Sequence, residues 1–425
     1  MSHFLLFMLM VALLGTSATN SSSTAAEEQR LFILDAKNLV KAKKQLQSND
    51  PAVVPVFNKL IREADRALTS GTLSVVQKEL NPPSGNKHDY MSIAPYWWPN
   101  PNTPNGLPYI RRDGEVNPER DQTSDRKRLD NMVQAVKTLS LGYFFTGQEK
   151  YAAQAAKLLG VWFLESATKM TPNLRYAQAI PGRNNGRGAG IIETHNLAEL
   201  IDAVGMLHES KSWEQRNQRA LQDWFNAYLT WFLESPEGRA EAKAQNNHGS
   251  WYDVQVASYA LFTGKNELAK KVLTEFPTKR ITKQIAPDGR QPRELERTQA
   301  WNYSLFNLEA LFDAASIADK LGIDLWNYET QDKRGIRKAL DWLLPFATGA
   351  KKWNYQQISD WQPEKLAPFL RRAALQYREM SYENALSKLP GVIADQRFNL
   401  LYPKPVANEP SLRNSNTRSP ASPPQ

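Results

Sequence analysis

Residues Asn246-Asn247-His248-Gly249-Ser250-Trp251-Tyr252-Asp253 set an amide, an imidazole, an indole and a phenol side by side, just ahead of a helical pattern. A second polar group follows, made of Arg290, Arg293, Glu294, Glu296, Arg297, Trp301, Asn302 and Tyr303. These residue types suit the removal of a weakly acidic proton from a carbon that bears a carboxylate. Neutral donors or cations must bind that carboxylate so that charge can move onto it. A base must reach the carbon-bound proton, and an acid must protonate the departing oxygen. Asn247 supplies an amide donor and His248 a titratable imidazole. Arg297 could hold an anion and depress the pKa of a nearby phenol, and Tyr303 could then act as base, acid or both. Arg297 and Tyr303 are too far out of helical phase to share one face. A break at Trp301-Asn302, or a loop before the Leu305 helix, would let both point inward. The plainer alternatives are a capping Asn beside a buried His, and a surface Arg/Glu network with Tyr303 half buried.

Further candidates flank these four. His195 starts a helical pattern after an Arg/Asn/Gly-rich loop and is preceded by Arg187 and Glu193. It could bind a carboxylate or transfer a proton; otherwise it is a structural histidine at a helix start. His88 is a similar candidate, whereas His208 reads as a surface residue. The aperiodic stretch from Lys87 to Asp121 holds Tyr90, Tyr96, Trp97, Trp98 and Tyr109, then Arg111-Arg112-Asp113-Gly114-Glu115. A loop of that length inside a compact domain is often functional. Its aromatics, with Trp251 and Tyr252, could stack on sugar rings, and its arginines could pair with carboxylates. Alternatively Trp97 and Trp98 plug a hole in the scaffold. Arg187 and Arg293 complete the binding candidates.

The elements that must position these residues read as helices. Leu39, Ala42 and Leu46 recur at helical spacing, as do Val56, Leu60, Ala64 and Leu68. Further stripes run through Met132–Tyr143, Tyr151–Trp162, Ile192–Leu207 and Leu221–Trp231. Others follow at Val254–Leu261, Leu268–Phe276, Leu305–Ala315, Ile336–Leu343 and Leu366–Tyr377. Pro236, Pro277 and Pro345 are expected to close helices. Ten to twelve such helices, each burying one stripe on a neighbour, predict an all-α (α/α) toroid or incomplete barrel of paired helices over residues 31–402. Loops at one end of the ring would form a cleft.

Composition narrows the setting. Lysine and arginine outnumber aspartate and glutamate by 53 to 44, a formal net charge of +9 that would attract a polyanion. Phe4–Leu14 is almost wholly apolar and leads into small residues, which predicts a signal peptide over 1–18 and a periplasmic or secreted protein. A linker at 19–30 and a disordered Pro/Ser-rich tail at 403–425 bracket the domain. With no cysteine there is no disulfide framework and no thiolate chemistry. A glycine-rich phosphate loop, a His-Glu-x-x-His pair and a Gly-x-Ser-x-Gly elbow are all absent from the sequence.

Three segments carry a resemblance. They are His88-Asp-Tyr-Met-Ser-Ile-Ala-Pro-Tyr-Trp-Trp-Pro99, Gly106-Leu-Pro-Tyr-Ile-Arg-Arg-Asp-Gly-Glu-Val-Asn-Pro118 and Asn246-Asn-His-Gly-Ser-Trp-Tyr-Asp-Val-Gln255. They resemble the alginate lyase domain family, which includes polysaccharide lyase families 5 and 38, and the similarity covers roughly Leu60 to Phe369. The resemblance implies an (α/α) toroid and metal-free β-elimination on an acidic polyuronate, of alginate or glucuronan type. It implies no cofactor and an exported protein. Asn247 and His248 match the family's carboxylate-neutralising or base region, and Arg297 and Tyr303 its arginine and catalytic tyrosine. The Arg-to-Tyr spacing suits family 38 better than family 5, so Tyr303 would serve as both base and acid. The partner expected is the acidic polysaccharide, with no nucleic acid, no membrane insertion and a monomeric enzyme. Two other readings stay open: a toroidal glycoside hydrolase with a carboxylate pair such as Glu193 and Asp253, and a noncatalytic binder of acidic polymer.

Overall fold

The computed structural model describes residues 30–121, 125–391 and 396–405. The expected leader at 1–18 and nearly all of the expected linker and tail lie outside these residues. Within them, the chain is a ring of paired helices, as the apolar stripes require. The helices are α1 (Ala36–Gln47), α2 (Val54–Ala67), α3 (Asp125–Thr146), α4 (Glu149–Leu159), α5 (Leu197–Gly205) and α6 (Gln215–Glu234). They continue as α7 (Pro236–Ala242), α8 (Asn247–Phe262), α9 (Asn266–Phe276), α10 (Ala300–Asp319), α11 (Ile336–Ala347), α12 (Ala367–Tyr377) and α13 (Met380–Leu386).

Burial separates two layers. In α8 and α10 nearly every side chain is buried, from Asn247 to Phe262 and from Ala300 to Ala318. A helix apolar all round belongs inside. In α9 and α11 burial is confined to one stripe, Ala269, Leu273 and Phe276 in the first and Ile336, Ala339, Leu340 and Leu343 in the second. These form the outer layer. The toroid is therefore an inner ring that includes α3, α5, α8 and α10, backed by outer helices. The connections at one end carry two small sheets. Strand β1 (Met91–Ile93) pairs in parallel with β4 (Tyr176–Ala179), and β2 (Trp97–Trp98) pairs antiparallel with β3 (Ile110–Arg111).

Several boundaries depart from the sequence pattern for local reasons. The first helix begins at Ala36, not Leu31, because Asp35 caps it by accepting the Lys37 N–H at 2.9 Å. The preceding residues bend, with the N–H groups of Phe32, Ile33 and Leu34 all donating to the buried Asp202 carboxylate of α5 at 2.7–3.0 Å. Pro236 opens α7 instead of closing α6, since Ser235 caps the new helix and proline fits its first turn. Pro277 continues into a π-type turn over Pro277–Ile281, and Pro345 sits inside α11. Two later helices, α13 and Phe398–Leu401, have too few apolar residues to show a period.

Candidate active site

The first turns of α3, α5, α8 and α10 meet at one end of the ring. Arg126 of α3 lies 3.7 Å from Glu193, which precedes α5. His195 packs edge-on against Trp251 of α8 and Phe306 of α10, with ring centres 4.8 and 5.1 Å apart. Helix N-termini carry partial positive charge, so an end of the ring at which several gather favours negative groups there.

Asn247 is the first residue of α8 and is almost fully buried. Its backbone N–H and side-chain amide both donate to Glu294, at 2.7 and 2.6 Å. Its side-chain oxygen has no partner among the described residues. Burial raises the Glu294 pKa, although the two Asn247 bonds oppose the shift. His248 donates through Nδ1 to Glu241 of α7 at 2.6 Å and keeps about a quarter of its side chain exposed (23%). The Glu241 carboxylate fixes Nδ1 as the protonated nitrogen, which leaves Nε2 free to act. Gly249 is needed next because a Cβ there would collide with the Ala244 carbonyl and the Arg280 guanidinium. Arg280, itself buried, donates to Asp253 and to the carbonyls of Ala242 and Ala244, tying the end of α7 to α8.

Arg297 and Tyr303 are brought together without a helix break. The irregular chain from Glu296 to Gln299 delivers Arg297, and α10 starts at Ala300 and runs unbroken through Trp301 and Asn302. Tyr303 then lies in the first turn, with the Arg297 guanidinium carbon 3.7 Å from its ring centre. The Tyr303 hydroxyl donates to that of Tyr96 at 2.6 Å. Arg297 does not depress the phenol overall. Burial and the neighbouring Tyr96 push the Tyr303 pKa up, and the Arg297 charge only offsets part of that. Arg297 is itself gripped by Asp113, at 3.1, 3.1 and 2.7 Å. Although burial works against ionisation, the Arg297 fork and the Thr298 N–H bring Asp113 down to about 2. Gly114 follows with φ +75° and room for no Cβ against Thr298.

The remaining candidates divide. His195 is half-buried, and its Nδ1 donates to the Ile192 carbonyl at 2.8 Å. Burial lowers its pKa to about 4, so it is neutral with Nε2 unprotonated. Arg187 donates to Gln178 at 2.6 Å and leaves Nε without a partner among the described residues. Burial lowers its pKa, while Glu241 pulls the other way. Tyr96, Trp97, Trp98 and Tyr109 lie in or beside the β2–β3 hairpin. Arg183 sits over Trp97 and Arg112 over Trp98, at 5.0 and 5.1 Å. Tyr109 donates to Glu119 at 2.5 Å and is pushed up to about 12, by burial first and then by that carboxylate. Three binding candidates are corrected. Tyr90 is fully buried and donates to Glu193 at 2.8 Å. Trp251 is packed among rings. Tyr252 is stacked on Phe232 and donates to its carbonyl. None offers a surface to a polymer. His88 is tied to the Lys169 carbonyl at 2.6 Å, on a different loop from the Tyr303 cluster. Arg293 is exposed, on the short helix Pro292–Leu295, where only Glu294 turns toward Asn247. Glu193 and Asp253 are not a hydrolase pair. The first holds Tyr90 and Ser92, and the second is locked to Arg280.

Comparisons with known proteins identify the family and the fold. A model of the family described as alginate lyase matches residues 74–353. The chain belongs to the alginate lyase family. A crystal structure of an alginate lyase from Bacteroides ovatus is 44% identical, superposes with a TM-score of 0.85, and aligns over 88% of this chain and 98% of that one. Alginate lyase A1-III from Sphingomonas species A1 is 16% identical, with a TM-score of 0.58 over 92% of this chain and 100% of its own, and it shares the fold. A histidine-to-alanine variant of A1-III complexed with tetrasaccharide superposes with a TM-score of 0.56 over 80% of this chain. No match is found among curated proteins. As a member of the family the protein is a polysaccharide lyase, and its fold is the family's all-α toroid. Among the described residues no helix is long and apolar enough to cross a membrane.

Proposed function

We propose that this lyase cleaves an acidic polyuronate of alginate or glucuronan type by β-elimination at the Tyr303 cluster. The observation that carries the reading is the Arg297 guanidinium stacked on the Tyr303 ring at 3.7 Å, three residues on from Glu294, which holds the buried Asn247 amide. Arg297 and the second amide N–H of Asn247 bind the sugar carboxylate with His248 beside them, and Asp113, Glu294 and Glu241 orient the three. Their positive charge and N–H donors stabilise negative charge as it moves from C5 onto the carboxylate. Tyr303, as phenolate, takes the C5 proton. The C5 electron pair forms the C4–C5 double bond, the C4–O4 bond breaks, and the proton is delivered to O4. The ground-state Tyr303 proton is lost to solvent, and the Tyr96 hydroxyl, 2.6 Å away, can then donate to the phenolate. His195, kept neutral by burial, packs on Trp251 and Phe306 behind these groups. The apolar Phe4–Leu14 run and the net positive charge fit an exported enzyme acting on such a polymer.

The test is a panel of purified polyuronates with and without chelator. Elimination gives an unsaturated chain end that absorbs in the near ultraviolet, and chelator leaves the rate unchanged. Tyr303→Phe lowers kcat by about a thousandfold or more with its melting temperature preserved. Saturated reducing ends, or near-normal turnover by the variant, would overturn the mechanism.

A further inference from the structure

The segment from Lys351 to Gln362 packs against the start of α10, beside Tyr303. Gln357 bridges to Gln299, and the Ile358 N–H donates to the Thr298 carbonyl at 3.0 Å. The Ser359 hydroxyl accepts from the Asn302 amide at 3.0 Å, one residue from Tyr303. Ile358 also reaches the Gly114 turn, where its Cδ1 stands 3.0 Å from the place a Cβ would occupy. This segment carries two of the few large apolar side chains exposed among the described residues, Ile358 at 55% and Trp361 at 40%. Two others, Leu107 and Val116, lie on the loop that bears the β2–β3 hairpin, which meets this segment at Gly114.

Trp361 is exposed but rigid. Its ring stands 4.6 Å from that of Trp301 and 5.7 Å from that of Trp353, and Trp301 donates to the neighbouring Gln362 carbonyl. It also borders a hollow of about 360 Å³ lined by Phe346, Thr348, Pro363 and Glu364. The exposed Lys351 and Lys352 follow the α11 end of that hollow. A flat aromatic face held by the Trp301 and Trp353 indoles, tied through Ser359 to the residue before Tyr303 and flanked by lysines, has the features that bind an acidic sugar ring. The apolar ring face meets the indole, while hydroxyls and carboxylate meet the polar rim.

We infer that Ile358 and Trp361 form an outlying subsite, which takes a uronic-acid residue of the polymer beyond those at the bond being cleaved. The inference rests on the polyuronate reading above. It makes the enzyme's grip on substrate depend on chain length, because short products do not reach the platform.

The test measures binding and turnover separately. Uronate oligomers of increasing length, and the polymer, are titrated into the full-length protein carrying Tyr303→Phe, with and without Trp361→Ala. Loss of the platform weakens polymer binding by about tenfold, and the loss shrinks as the oligomer shortens. In the otherwise native enzyme, Trp361→Ala raises KM for polymer with little change in kcat, and Trp361→Phe recovers most of it. A uniform loss at every length, or a lowered kcat with KM intact, would mark Trp361 as a structural prop and overturn the subsite. Equal affinities with and without Trp361 would do the same. If even the parent protein binds no polyuronate of any length, the substrate reading itself fails, and that result is distinct from the others.

Discussion

At the scale of single residues, the Tyr303 phenol sets the pH behaviour. Burial and Tyr96 hold its pKa above the ordinary value for tyrosine, so the free enzyme carries it almost wholly protonated at neutral pH. The active phenolate is a minor species whose share grows about tenfold per pH unit below that pKa. The expected profile of kcat/KM therefore rises with pH from about 7 to beyond 9 without a plateau, and a plateau reached below pH 8 would assign the base elsewhere. Asp113 gives a second expectation. It grips Arg297 from a loop 184 residues away, so Asp113→Ala frees the guanidinium to rotate off the phenol. A misplacement of about 1 Å can cost roughly a hundredfold in rate. Steady-state kinetics should show that loss mainly in kcat, with circular dichroism unchanged. These two residues also mark how far the sequence could be read. The nearness of Arg297 to Tyr303 was legible as a cluster of residue types that share a chemistry. The orienting carboxylates were not. Glu294 is 47 residues from Asn247, and Asp113 is embedded among arginines that read as substrate contacts. Only the fold reveals which carboxylate meets which donor.

At the scale of elements, the hairpin loop and the start of α10 behave as one unit. Asp113 accepts from the Thr298 hydroxyl through its backbone carbonyl at 2.8 Å, and Gln299 donates to the Gly114 carbonyl at 2.8 Å. Gly114 is the pivot, since its φ of +75° disfavours any side chain and its Cβ would strike Thr298. Gly114→Ala should destabilise the hairpin dock by about 2 kcal/mol while leaving the helical ring intact. Hydrogen exchange should rise locally at residues 110–117 and 297–302, with little change in the core of α8. Protection lost throughout the ring would show instead that the hairpin supports the whole fold. The ring itself was visible in the apolar stripes, because a helix must bury its stripe whatever its neighbours are. The prolines were misread because a helix boundary depends on the partner of each free N–H. Pro236 needs none, so beside the Ser235 cap it begins a helix. Tyr90, Trp251 and Tyr252 were misjudged for a related reason. An aromatic residue looks the same in sequence whether it faces a sugar or a packed core.

At the scale of the molecule, two sources of positive potential add at one end of the ring. One is the formal net charge of +9, and the other is the convergence of helix N-termini from α3, α5, α8 and α10. The arginines there are divided by role. Arg297 is neutralised by Asp113, and Arg126 lies beside Glu193, but Arg187 has no carboxylate within ion-pair distance among the described residues. A polyanion is therefore drawn to the cleft by a field spread over many groups, and only the local donors at Tyr303 respond to the transition state. Salt should separate the two. At about 0.5 M ionic strength the screening length shrinks to roughly half its value at 0.1 M, which weakens the approach and seating of distant sugar carboxylates. Contacts inside the desolvated site are far less affected. KM for polymer should thus rise several-fold between about 0.05 and 0.5 M sodium chloride while kcat stays within about twofold. The rise should be smaller for a short oligomer, which spans less of the field. If kcat collapsed with KM unchanged, the charge that matters would lie at the reacting carbon alone, and the long-range role given to the ring of helix ends would be wrong.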